Sequence, residues 1–276
     1  MPNVELKPAG RIPIFRRIAL GTWETTYDPK VCGTMVLRME RVLDYIEKFR
    51  AKTGKRLTVT HLVAKAAALA YTRMPDANVL MRWGRIYERK RIDVFLQVMM
   101  TDEGTGKPDL SGVTLRDVDQ LTLEQIVDAT EQSVKKVREG TDLELAKSRG
   151  LLGRLPAVMV RSTLKLLSFL LYTLNLDLRW AGIPRDGFGS IMITNIGSLG
   201  LEQAFAPLVP WSRVPMVVTV GTVSDEPVVE NGQVVPGKVM RLSATFDHRI
   251  LDGAHAAVLA KAAHDFFADP ERFAPL

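Results

Sequence analysis

Four histidines are present in the sequence, and one of them, His248, stands where an imidazole could do chemistry. From Met240 to His248 the residues Met240, Leu242, Ala244, Phe246 and His248 alternate with Arg241, Ser243, Thr245 and Asp247, the period of a half-buried strand. His248 is therefore expected to end a strand on its apolar side. A partly desolvated histidine on a rigid strand is suited to general-base work; a lone one on an apolar face is more often a hydrogen-bonded core residue. Four residues on, Asp252-Gly253 opens an Ala-rich helical pattern that runs to Ala268 and stops before Pro270, with Asp252 placed as its N-cap. His61, His255 and His264 are expected to be structural, and His248, His255 and His264 lack the spacing of a standard zinc site. The single cysteine, Cys32, excludes an internal disulfide framework and fits a reducing cytoplasm. Its strand-like surroundings favour inert burial over a nucleophilic role.

The elements that must position His248 are those of one mixed α/β domain, the default for 276 residues. Hydrophobic residues at 46% and charged residues at 25% are ordinary for a globular protein. The net charge of +6 favours anionic partners, a phosphorylated cofactor or an acidic membrane surface, but is too small for a nucleic-acid footprint. The opening residues show no secretion signal.

Residues 1–15, with three prolines and little periodicity, read as an extended N-terminal arm. A basic pair, Arg16-Arg17, precedes a strand over Val31–Arg38. Helices follow from Met39 to a stop at Gly54, and from about Thr60 to Met74, with Thr58 or Thr60 as cap and Pro75 as terminator. Strand-like runs over Val79–Tyr87 and Ile92–Thr101 are joined through Glu88-Arg89-Lys90-Arg91. With Arg82 and Arg85 this cluster reads as a solvated hairpin tip, the alternative being a site for cofactor phosphates. Thr122 and Gln125 form a capping box for a helix to about Glu139. The run Asp186–Gly200 alternates into a strand and ends in a glycine-broken turn whose spacing does not suit a dinucleotide loop. Asn231-Gly232 turns a hairpin into the His248 strand.

Between 150 and 186 lies an amphipathic segment, strongest over 156–174, where Arg154, Arg161, Lys165, Ser168 and Tyr172 share a narrow wedge of an otherwise apolar helix. It is too short to cross a bilayer. Three roles are open to it: burial against the core or a neighbouring subunit, contact with a membrane surface, and a lid or docking site for a separate carrier.

The string Phe246-Asp-His-Arg-Ile-Leu-Asp-Gly253 contains His-x-x-x-Asp-Gly within Asp-His-Arg-x-x-Asp-Gly. It resembles the active-site signature of the dihydrolipoamide acyltransferase catalytic core of 2-oxo acid dehydrogenase complexes, whose shorter core also occurs in chloramphenicol acetyltransferase. Leu57–Ala70 with Met74-Pro-Asp-Ala-Asn78, and the strand into Thr194-Asn195-Ile196-Gly197, are similar to segments of the same family. Gly106–Leu115 departs from the family's usual strand near the substrate channel, and 150–186 is an insertion relative to it.

The resemblance implies a chloramphenicol-acetyltransferase-like α/β fold over 16–276, a mixed sheet with helices packed on one side, trimeric or an assembly of trimers. It implies a site between subunits, with His248 as general base, Thr194 as the hydroxyl that holds the oxyanion where most members have serine, and Asp252 holding the turn. It implies acyl transfer between coenzyme A and a thiol, a dihydrolipoyl group on another protein or on other dehydrogenase-complex subunits, with no covalent acyl-enzyme and no metal. The sequence shows neither a lipoyl domain nor a subunit-binding domain before the core, so the lipoyl group is expected in trans. Two other functions remain open: coenzyme A-dependent transfer to a small alcohol or amine, and a structural or membrane-associated assembly protein, cytoplasmic or peripheral at a membrane, with 156–174 as its contact.

Overall fold

The computed structural model describes residues 2–8, 29–101, 108–138 and 156–275. Arg16-Arg17, Arg154, the end of the helix at 139–140 and most of the arm at 1–15 lie outside them. The chain runs β1 (Leu6–Pro8), β2 (Lys30–Arg38), α1 (Glu40–Thr53), α2 (Val59–Arg73), β3 (Val79–Arg82), β4 (Arg85–Arg89), β5 (Val94–Thr101), β6 (Pro108–Leu115) and α3 (Leu123–Arg138). It continues with α4 (Ala157–Ser168), β7 (Ile191–Asn195), β8 (Met216–Glu230), β9 (Gln233–Asp247), α5 (Gly253–Ala268) and α6 (Pro270–Phe273).

Six strands form one mixed sheet in the order β2-β9-β8-β7-β5-β6. The β7 strand runs parallel to both β5 and β8, and the remaining neighbours are antiparallel. One face carries Leu37, Val94, Leu96, Ile191, Ile193, Val218, Leu242 and Phe246 against α1, α2, α3 and α5 in a single core. Helices thus pack on one side, as expected. The other face holds a smaller cluster of Phe95, Met192 and Val217, covered by Leu208 and Val214 of the chain between β7 and β8. Close packing there depends on Gly221, because a Cβ at that position would collide with the carbonyl oxygen of Glu202.

Several local expectations hold. Gly54, at φ 69°, ends α1, and its N–H donates to the carbonyl of Arg50. Thr58 is the N-cap of α2, its N–H donating to Nδ1 of His61 at 3.2 Å. Thr122 and Gln125 exchange the two bonds of a capping box. Asn231 and Gly232, both with positive φ, turn β8 into β9.

Other expectations are corrected. The run over Val79–Tyr87 is not one strand, because Trp83 and Gly84, at φ 53° and 66°, fold it into the β3–β4 hairpin that β1 joins as a third strand. Glu88–Arg91 is therefore not a hairpin tip; Arg89 is buried and ion-paired with Asp186. The β9 strand is buried on both faces rather than one, since Ser243, Thr245 and Asp247 are covered as fully as Leu242 and Phe246. Cys32 is exposed, not buried: alternation along the edge strand β2 places it on the face without helices, 3.8 Å from the Thr245 hydroxyl. Gly106-Lys107 lies outside the described residues, and Pro108–Leu115 forms the β6 edge strand beside β5.

The amphipathic segment is a helix over α4 that continues as a π-helical turn through Phe169–Thr173. Leu171 and Tyr172 are buried with Val4 and Leu80, and Leu167 packs on them. Met159, Leu166 and Phe169 remain exposed on its outer side.

Candidate active site

The β9 strand stops at Asp247, where the N–H donates to the carbonyl of Pro215 and the next N–H, that of His248, donates to the carbonyl of Pro29 at 2.6 Å. His248 thus opens the turn rather than ending the strand. The turn is closed by the N–H groups of Ile250 and Leu251, both donating to the carbonyl of Asp247. Asp247 and Arg249, on either side of the histidine, grip each other in a forked pair: Nε donates to Oδ1 at 3.0 Å and Nη2 to Oδ2 at 2.6 Å. Both side chains are buried, at 2% and 4% exposure, so the pair is well screened from water and salt. The Arg249 N–H adds a bond to the same carboxylate.

Within this frame the ring of His248 is oriented through Nδ1, which lies 2.7 Å from the carbonyl oxygen of Leu251. A carbonyl only accepts, so Nδ1 carries the proton and, in the neutral ring, the lone pair is on Nε2. The result is a half-buried imidazole with one nitrogen committed to orientation and the other chemically basic.

Asp252 caps α5 as expected. One of its oxygens accepts from the N–H groups of Ala254 and His255, at 3.0 and 3.2 Å, and lies 2.6 Å from Nδ1 of His255. These bonds tie the end of the turn to the helix. His61 is buried in its cap, and desolvation lowers its pKa from 6.5 to about 4.

Thr194 lies on β7 opposite Thr219, which lies opposite Ser243 on β9. From Ser243 to His248 is five residues further along the chain. With strand spacings of about 4.8 Å and a rise of about 3.3 Å per residue, Thr194 and His248 of one chain are roughly 19 Å apart. The fold places both residues but does not bring them together within a single chain.

Sequence reasoning missed the Asp247–Arg249 clamp and the Leu251 carbonyl that orients the ring. Opposite charges two residues apart around a histidine were a signal for the first. Backbone acceptors carry no sequence signal for the second.

Two cavities adjoin the turn. One, of about 450 Å³, has Asp247, Arg249 and Ile250 in its wall. The other, of about 380 Å³, is apolar and lies between the sheet and the alanine-rich faces of α2 and α5, with Phe246 and Leu251 in its wall.

This mixed sheet with helices on one side is the fold of chloramphenicol acetyltransferase. A solved chain of that enzyme is 12% identical and superposes with a TM-score of 0.50, covering 95% of this chain and all of that one. The chain belongs to the 2-oxoacid dehydrogenases acyltransferase (catalytic domain) family, whose model matches residues 22–147 and 186–274. A curated relative, the dihydrolipoyllysine-residue acetyltransferase component of the acetoin cleaving system of Bacillus subtilis, is 26% identical over 217 residues, covering 79% of this chain and 43% of the relative. The chain therefore spans less than half the length of that relative. The solved dihydrolipoamide acetyltransferase of Azotobacter vinelandii is 18% identical, with a TM-score of 0.64 over 96% of this chain and 93% of that one. The family match leaves out 148–185, the segment that reads as an insertion in the sequence. No helix among the described residues is long and apolar enough to cross a membrane.

Proposed function

We propose that the chain catalyses acyl transfer between coenzyme A and a thiol acceptor, a dihydrolipoyl group, with His248 as general base. The observation that carries this is the Nδ1 contact to the Leu251 carbonyl, which makes Nε2 the basic atom. Nε2 takes the proton from the incoming thiol, whose sulfur forms a bond to the acyl carbon. Thr194 donates its hydroxyl to the oxygen that gains charge, and as the bond to the old thiol breaks, His248 returns the proton to it. Atoms balance without an acyl-enzyme, so Cys32 has no part.

The roughly 19 Å between Thr194 and His248 in one chain supports a site shared between subunits, each contributing one residue. A homotrimer, or an assembly of trimers, supplies that arrangement. Spacing supports the same roles: the Azotobacter enzyme was studied for a serine, a histidine and an asparagine in its catalytic mechanism, with the last two four residues apart. His248 and Asp252 are also four apart. Asp252 acts as a positioning residue through the cap of α5. The acceptor dihydrolipoyl group is carried on another protein or on another part of a dehydrogenase complex.

The test is transfer from acetyl-, propionyl- and longer acyl-coenzyme A to dihydrolipoamide by wild type and His248→Ala at matched oligomeric state. Loss of about 10²–10⁴ in rate is expected if the imidazole is the base. Equal rates in the two proteins would overturn the assignment.

A second reading concerns 156–174, where exposed Met159, Leu166 and Phe169 flank exposed Arg161 and Lys165, with Trp83 against Phe169. This pattern supports contact with an anionic membrane surface. Co-sedimentation with vesicles containing phosphatidylserine, lost in Leu166→Ser/Phe169→Ser, is the expected result; no wild-type binding would refute it.

A further inference from the structure

The cavity of about 450 Å³ lies where α4 faces the β3–β4 hairpin and the chain just before β8. Its wall carries five cations, Arg82, Arg161, Lys165, Arg213 and Arg249, and one carboxylate, Asp247. That carboxylate is already gripped by Arg249. Elsewhere buried or half-buried arginines meet acids, as Arg89 meets Asp186, Arg116 meets Asp93 and Arg241 meets Glu226.

Here the partners are neutral. Arg213 donates from Nε to the Ser168 hydroxyl at 3.0 Å and from Nη2 to the Thr173 hydroxyl at 2.6 Å. Arg82 donates from Nε to the Thr173 carbonyl at 2.8 Å, and its guanidinium lies over the Tyr87 ring. Burial lowers the pKa of Arg213; Tyr172 opposes the shift, and repulsion from Arg249 adds to it. Arg213 also holds a left-handed backbone, φ 54°, which is uncommon for a residue with a side chain. A concave wall with more cations than carboxylates among the described residues raises the local concentration of anions and is relieved by binding one.

We propose that this cavity is an anion site that takes a phosphate-bearing small molecule. Planar guanidinium groups match phosphate oxygens in forked pairs. The indoles of Trp83 and Trp211 line the same space and offer flat apolar walls to whatever carries the phosphate. Arg161, Lys165, Ser168 and Thr173 all come from the segment outside the family match, so the site belongs to what this chain adds to the shared fold. Two sources have this chemistry: the phosphates of coenzyme A, and a separate phosphorylated effector.

The test is calorimetric titration of the intact protein with inorganic pyrophosphate, in the absence of acyl substrate, so that it is independent of His248. Saturable binding is expected, weakened about tenfold for each cationic side chain removed. Arg213→Met removes a half-buried donor whose hydrogen-bond partners are neutral. Because that variant also gives up the bonds to Ser168 and Thr173, Arg161→Met/Lys165→Met, at exposed positions of α4, is measured beside it. Absence of saturable binding, an affinity unchanged in the double variant, or binding of succinate in preference to pyrophosphate would each overturn the proposal. Competition between pyrophosphate and coenzyme A would assign the site to the coenzyme's phosphates, to the 3′-phosphate where dephospho-coenzyme A no longer competes and to the diphosphate where it still does. Unchanged pyrophosphate affinity in the presence of saturating coenzyme A would assign it to an effector.

Discussion

His248 is held mainly by atoms within four residues of itself, whereas Thr194 is held only as one position in a sheet ladder. Around the histidine are the Asp247–Arg249 fork, the Leu251 carbonyl and the Asp252 cap, with Pro29 as the distant contributor. Around the threonine are β8 and β5, whose pairing fixes the height of β7 but says nothing about what stands before the hydroxyl. On the proposed reading, the histidine half of the site is complete in the folded chain and the threonine half needs a second copy. A local motif would then set the base, and assembly the oxyanion donor.

The comparison breaks most readily at Arg249. Arg249→Met leaves the Asp247 carboxylate buried without its partner, at a cost of about 3–5 kcal/mol. Chemical denaturation should show this loss. In Asp247→Asn/Arg249→Met the cost should be smaller than the two single effects summed, because neither charge is then stranded. Additive losses would mean the fork does not hold the turn.

Thr194 should behave in the opposite way, with little change in stability and a large change in rate. Thr194→Ala removes the donor and is expected to slow transfer by about 10²–10³, as for other oxyanion-hole donors. Thr194→Ser, which keeps the hydroxyl, should remain near wild type. Co-assembled His248→Ala and Thr194→Ala chains, each strongly slowed alone, should regain part of the activity at interfaces that pair an intact His248 with an intact Thr194. No recovery in verified mixed assemblies would place both groups within one chain's site, against the roughly 19 Å that the registers give.

A smaller effect separates the histidines by pH. His61 is neutral in the fold, and its pKa is lowered from 6.5 to about 4 by burial. The unfolded chain then binds the proton first as pH falls, so stability is lost between about pH 6.5 and 4, by at most about 3 kcal/mol. His61→Asn should flatten that part of the stability curve while leaving the acyl-transfer rate at neutral pH unchanged. An unflattened curve would assign the loss to other groups.

The same contrast explains what was legible beforehand. The fold and the histidine half are written in local patterns: alternation along β9, the capping box at Thr122, the Asn231-Gly232 turn and the spacing of His248 to Asp252. The β3–β4 turn was missed because Trp83 occupies a positive-φ position usually signalled by Asn, Asp or Gly. Cys32 was misplaced because a strand pattern tells which residues share a face, not which face has helices on it. The surroundings of Arg213 could not be read at all, since Ser168, Thr173 and Arg249 meet it only through the tertiary fold.

Asp252 gives the smallest expected effect and the sharpest boundary between the two halves. Its carboxylate accepts from two N–H groups of the first turn of α5, so Asp252→Ala should cost about 1 kcal/mol, the usual value of a lost cap. Asp252→Asn keeps an acceptor for those N–H groups but removes the charge facing His255, and should cost less. Because the cap acts at the C-terminal end of the same turn, either variant should lower the transfer rate only as far as the ring of His248 loses its alignment. The pH profile of the rate should keep its shape. A loss in Asp252→Asn as large as in His248→Ala, at unchanged stability, would make the carboxylate part of the chemistry and dissolve the distinction between a base and the frame that points it.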